Sequence, residues 1–149
     1  MLAFTSPDGP AGARVELVTV QGRQTAVLAD TLQALQRALN QDGTLSPIHL
    51  LMLAAPHAAG MYSIGQYLNV RVAAGALLDG FLGYTDEAGA QSINFFSQGL
   101  GAPGVFLLPT LSIFSDGSAP ITIDLTVGGA VGPPLLFDYF AAIAQTGRT

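Results

Sequence analysis

The chain has 149 residues and a net charge of -5, with no cysteine and no lysine; its five cations, Arg14, Arg23, Arg37, Arg71 and Arg148, are scattered. Disulfide staples and thiolate metal sites are therefore excluded, and nucleic acid is an unsuitable partner because phosphates select clustered Lys and Arg. Only 10% of residues are charged, against about 25% in an ordinary domain, and mean hydropathy is +0.47, so association through apolar surface is the expected outlet.

Residues 1–12, rich in Pro and Gly, read as an N-terminal arm preceding a single domain over 13–149. The first residues carry neither the positive n-region nor the apolar h-region of a secretory signal. No stretch approaches the roughly 20 apolar residues of a membrane span, so no membrane is expected as a partner. Residues 14–20 alternate polar and apolar, Gln21-Gly22 offers a turn, and residues 25–28 complete a predicted hairpin. Asp30 is a suitable N-cap, and Leu32, Leu35 and Leu39 share one helical face, which predicts a short helix over 31–40, the only one in the chain.

Strands are predicted from there on, over 48–54, 62–72, 77–85, 91–97, 105–114, 121–127 and 135–144. The stretch from Ile121 is the clearest: Ile121, Ile123, Leu125 and Val127 alternate with Thr122, Asp124, Thr126 and Gly128. Turn signals between these runs, such as Asp116-Gly117 and Gly128-Gly129, favour a mainly β chain. The predicted fold is a jelly-roll-like β-sandwich with one short helix in its N-terminal third.

Residues that carry chemistry are few. Gly99 to Gly104 matches G-x-G-x-x-G, but a β-rich run containing Pro109 follows instead of a helix, so the stretch reads as an inter-strand loop. His49 and His57 have no nearby company of metal ligands. Asp86 and Glu87 lack the acidic spacing of a calcium loop and read as a solvated turn. There is no G-x-S-x-G elbow. No catalytic, cofactor-binding or metal-binding residue is assigned, and a non-enzymatic role is expected.

The last strand is apolar on both faces. Leu135, Phe137, Tyr139, Ala141 and Ile143 lie on one side, and Leu136, Phe140, Ala142 and Ala144 on the other. A sandwich strand with one wet face does not have this pattern, so its outer side calls for a cover, either another subunit or the N-terminal segment. Leu136, Phe140, Ala142, Tyr67 and Phe96 are expected to line an interface with another subunit, and Leu2, Phe4 and Pro7 to make contacts from the arm.

Four short motifs in the second half, Gly60-Met61-Tyr62, Tyr84-Thr85-Asp86, Ser118-Ala119-Pro120-Ile121-Thr122 and Phe137-Asp138-Tyr139, are similar to those of β-sandwich modules in tailed-bacteriophage virions. In length and composition the chain resembles capsid decoration, or cement, proteins. The resemblance covers a little over half the chain. It implies a homotrimer on the capsid exterior, made in the host bacterial cytoplasm, that binds the major capsid protein and stabilises the shell without a cofactor. Two other readings stay open: the head of a trimeric tail fibre or another glycan-binding sandwich, and a small jelly-roll enzyme or ligand-binding protein.

Overall fold

The structure is a computed structural model that describes the backbone of residues 31–148; the expected arm at 1–12 and hairpin at 14–28 lie outside the described residues. Nine strands follow one another: β1 (Thr31–Gln41), β2 (Ile48–Leu53), β3 (Gly60–Val72), β4 (Ala76–Asp86), β5 (Gly89–Gly99), β6 (Gly104–Phe106), β7 (Leu111–Ser115), β8 (Ile121–Gly129) and β9 (Leu136–Arg148). They form two antiparallel sheets. One has the order β1-β9-β3-β6, with β7 also paired to β3, and the other has the order β2-β8-β4-β5. The pairs β1·β9, β2·β8, β3·β7 and β4·β5 alternate between the sheets, the connectivity of one long ribbon rolled into a jelly roll.

Period-two patterning puts the core between the sheets. Ile121, Ile123 and Leu125 of β8 are fully buried, with Thr122, Asp124 and Thr126 turned outward between them. Tyr62, Ile64 and Leu68 of β3 and Phe137, Tyr139 and Ile143 of β9 oppose them from the other sheet. Each such side chain contributes about 1.5–3 kcal/mol by leaving water. The Tyr139 hydroxyl donates to Gln66 Oε1 at 2.5 Å, and burial pushes its pKa up, so it remains a donor.

Two expectations are corrected. No helix occurs among the described residues, and 31–40 belongs to strand β1. An isolated helix of ten residues is marginal in water, whereas the β9 edge offers β1 a full antiparallel ladder from Thr31↔Gln145 to Gln41↔Phe137. The run 105–114 is two short strands, β6 and β7, with Pro109, which has no N–H for a ladder, in the connection between them.

One end of the sandwich carries the 54–59, 87–88 and 116–120 connections together with Thr31 and Arg148, whose backbones pair with Gln145 and Gly60. The other end carries the 42–47, 73–75, 100–103 and 130–135 loops, in which Asp42 is the sole charged residue. These loops are tied by Ala74 N–H to Leu100 O (3.0 Å), Ala130 N–H to Gly75 O (3.1 Å) and Gly132 N–H to Asp42 O (2.7 Å).

Two exposed turns carry carboxylates that hold their own loops. Asp116 accepts the Ser118 hydroxyl at 2.7 Å and the Ser118 N–H at 2.8 Å, and Asp42 accepts the Thr44 hydroxyl at 2.7 Å and the Thr44 N–H at 3.0 Å. These side-chain and backbone hydrogen bonds hold both pKa values below the ordinary carboxylate value of 3.8. A carboxylate whose folded pKa is depressed stabilises the fold above its unfolded pKa, and that contribution is lost as pH falls through the folded value. Thermal stability is therefore expected to decline below about pH 4, and Ser118→Ala with Thr44→Ala should flatten the acid limb in melts taken from pH 5 downward. An unchanged acid limb would remove these turns from the account.

Candidate subunit interface

The outer face of the five-stranded sheet departs from ordinary sandwich patterning. Alternation along β9 and β3, together with the β1 register, sets side chains in rows across three strands. The rows are Leu32–Ala144–Ser63, Leu35–Ala142–Gly65 and Arg37–Phe140–Tyr67. Leu32, Leu35 and Leu39 are 58%, 57% and 41% exposed, and Tyr67 and Met61 are each 40% exposed. Phe140 is half-buried and meets Tyr67 edge-on, with ring centroids 5.6 Å apart. Val105 of β6 is exposed at the far edge, separated from the apolar rows by Asn69 and Asp138. Leucines along one edge, an aromatic pair in the middle and exposed Met61 on β3 make a largely apolar surface of the kind that marks an interaction site.

The centre of this face is low. Gly65 and Ala142 stand side by side, and a Cβ built on Gly65 meets nothing within 4 Å. A glycine inside a strand costs stability and commonly marks the close approach of another backbone or ligand.

One corner is polar. Arg71 reaches Asp138 with Nε to Oδ2 at 3.0 Å and Nη2 to Oδ1 at 3.1 Å, a two-pronged contact. Asn40, in the left-handed region at φ 56°, donates its N–H to Asp138 Oδ1 at 2.7 Å and accepts from Arg71 through Oδ1. Asp138 is 14% exposed and Arg71 40%. Arg37, by contrast, faces Phe140 with no carboxylate paired to it among the described residues.

The other sheet presents a different outer face. Its exterior is set mostly with polar residues, Asp79, Thr122, Asp124, Thr126, Ser92, Asn94 and Ser97, among which Leu51 and Leu77 are exposed. The contrast singles out the first sheet as the one with the more apolar outer face among the described residues.

Of the residues expected at an interface, Tyr67, Phe140 and Ala142 come together on this face, and Leu136 lies on its β9 end across from Val72. Phe96 does not join them. It is 6% exposed and faces the core, stacked on Tyr139 at 6.0 Å and edge-on to Phe95 at 5.3 Å. Leu2, Phe4 and Pro7 lie outside the described residues. The sequence reading placed Leu32, Leu35 and Leu39 on a helix and so did not assign them to this face.

The histidines sit in separate contacts. His49 Nδ1 bonds Asp124 Oδ1 on the outside of the four-stranded sheet. His57 lies in the β2–β3 turn, with Nδ1 3.1 Å from Ala54 O and Nε2 2.8 Å from the buried Ser115 Oγ. Because a carbonyl only accepts, Nδ1 carries the proton of the neutral ring and the Ser115 hydroxyl donates to Nε2. No group of three or more His, Cys, Asp or Glu side chains gathers among the described residues.

No protein-family model matches the chain, and no curated protein does. Among solved structures it is similar to a chain of infectious bursal disease virus, Gx strain, with a TM-score of 0.44 and 18% identity over 87% of this chain and 37% of the viral one. It is also similar to the CBM22-1–GH10 modules of the Clostridium thermocellum endo-1,4-beta-D-xylanase 10B, with a TM-score of 0.37 and 9% identity over 77% of this chain and 25% of that one. The chain thus spans well under half the length of either protein.

Proposed function

We propose that this chain is a non-enzymatic structural subunit that assembles into a homotrimer through the outer face of its five-stranded sheet and decorates the outside of a phage capsid. The observation that carries the reading is the apolar surface of Leu32, Leu35, Phe140, Tyr67 and Ala142 around the depression at Gly65, set against an opposite sheet whose exterior is mostly polar. The β1 leucines stand on one edge of this face, and exposed Met61 and Val105 lie on its β3–β6 side. Unlike edges of this kind suit a head-to-tail contact, which closes into a ring under threefold symmetry. The decoration role rests on the sequence resemblance to cement proteins. In that role the trimer stabilises the shell by mass action, binding the assembled capsid protein and not its free form.

The first test is solution mass by size-exclusion chromatography with light scattering. The expected result is three times the 15.3 kDa chain mass, with retention of the trimer on expanded phage shells in a co-sedimentation assay. Gly65→Glu is the matched variant. Nothing within 4 Å obstructs a Cβ there, so the fold is expected to persist while the depression fills and gains a charge. A monomeric Gly65→Glu with wild-type circular dichroism supports the assignment. A monomeric wild type, or a trimer indifferent to Gly65→Glu, overturns it.

A further inference from the structure

The exterior of the four-stranded sheet is not uniformly polar: Leu51 and Leu77 are exposed on it, and β4 adds an aromatic side chain, Phe81. Phe81 points outward from β4 and is half-buried; it is absent from the side chains packed against the core. Phe81 is across from Asp124 on one side and from Asn94 on the other, and His49 is across from Asp124, so one row runs His49–Asp124–Phe81–Asn94 over all four strands. The next row towards the chain termini is Leu51–Thr122–Gly83–Ser92, and the row on the other side holds Thr126, Asp79 and Ser97. Gly83 makes the floor beside Phe81 low: a Cβ there would lie 2.8 Å from the Thr122 hydroxyl.

Two internal contacts hold the carboxylates in place. Asp124 Oδ1 takes His49 Nδ1, and Asp79 Oδ1 takes the Ser97 hydroxyl, which leaves Oδ2 of each without a partner among the described residues. The face thus offers a single aromatic ring within a lattice of acceptors and hydroxyls. Spacings are about 4.8 Å between strands and about 6.8 Å between alternate residues along one strand.

From this arrangement we propose that the outer face of the four-stranded sheet, centred on Phe81 with Asp124, Asp79, Asn94 and Thr122, is a binding site for neutral oligosaccharides. A pyranose ring has an apolar C–H face that lies on an aromatic side chain, and an equator of hydroxyl donors that free carboxylate and amide oxygens accept. Charge complementarity selects the neutral class. Among the described residues no Arg lies on this face, so sulfated or sialylated chains would meet two carboxylates with only His49 to offset them. The site occupies the opposite sheet from the proposed subunit contact, so either assignment stands or falls without the other.

The test is a glycan array carrying neutral, sialylated and sulfated oligosaccharides, probed with the intact protein and followed by saturation-transfer NMR with a neutral hit in solution. The expected result is retention of neutral oligosaccharides, with Phe81→Ala and Asp124→Asn each weakening binding about tenfold or more at unchanged thermal stability. Gly65→Glu should keep the same affinity per site in solution while losing array signal through lower valency. Three results overturn the site: no neutral oligosaccharide retained at millimolar concentration, acidic glycans preferred, or binding indifferent to Phe81→Ala.

Discussion

Phe140→Arg is expected to reduce the proposed trimer to single chains without unfolding them. The side chain lies on the outer face beside Tyr67, so within one chain the change loses an edge-on aromatic pair worth about 0.5–1.5 kcal/mol. It also sets a second cation against Arg37, directly across on β1. Both costs are small beside the roughly 5–15 kcal/mol that holds an ordinary domain folded. In an assembled ring the arithmetic differs, because an uncompensated charge closed into a contact costs about 3–5 kcal/mol and a cyclic trimer repeats the contact three times. Phe140→Asp is the milder variant, since Arg37 gives the new carboxylate a counter-charge within its own chain. Light scattering is therefore expected to rank the variants, with Arg dissociating the particle at a protein concentration where Asp still associates. A wild-type mass for Phe140→Arg would remove this face from the interface.

Gly117→Ala is expected to be the most destabilising single-methyl addition in the described chain. The residue sits at φ +82°, and a Cβ there would lie 2.1 Å from the His57 carbonyl oxygen, a backbone atom that cannot rotate aside. The turn is also tied by His57 N–H to Gly117 O at 3.1 Å and by Gly117 N–H to Ser115 Oγ at 3.2 Å, so relief of the clash breaks both bonds. Left-handed strain of about 1–3 kcal/mol and overpacking of about 1–3 kcal/mol together give roughly 2–6 kcal/mol. At about 2–4 °C per kcal/mol for a chain of this size, the melting temperature should fall by several degrees at least. Gly101→Ala, in open space with no positive φ, is the control and should stay within about 0.5 kcal/mol of wild type. Equal melting temperatures for the two variants would mean that the 115–121 turn adapts freely.

What the sequence disclosed depended on whether the alternation of a strand ran unbroken. In β8 and β9 it does, and the inward and outward sets there match the observed faces residue by residue. In β1 it does not. A register shift between Leu32 and Ala34 inserts an extra residue, so Leu32 and Leu35, three apart, face the same side of the sheet. With Leu39 a further four residues on, the spacing reproduces a helical stripe, and no periodicity argument separates the two. The same device explains Phe96. The shift between Gly80 and Phe81 pairs Phe96 with Gly80 and Asn94 with Phe81, which turns Phe96 inward to the core. The outward apolar residues of β9 were legible because a doubly apolar strand is conspicuous. The Gly65 depression was not, because a lone glycine in a strand looks the same in sequence whether it is crowded or open.

The two ends of the sandwich set out a division of labour for engineering. The described chain both enters and leaves at one end, and the 100–103 connection lies at the other, with Gly101, Ala102 and Pro103 exposed and no positive charge in the surrounding loops. A peptide epitope spliced between Ala102 and Pro103 would therefore project from the pole opposite any fusion at the C-terminus. In a threefold particle it would be presented as a cluster of three, with tether and cargo at opposite ends of the same scaffold.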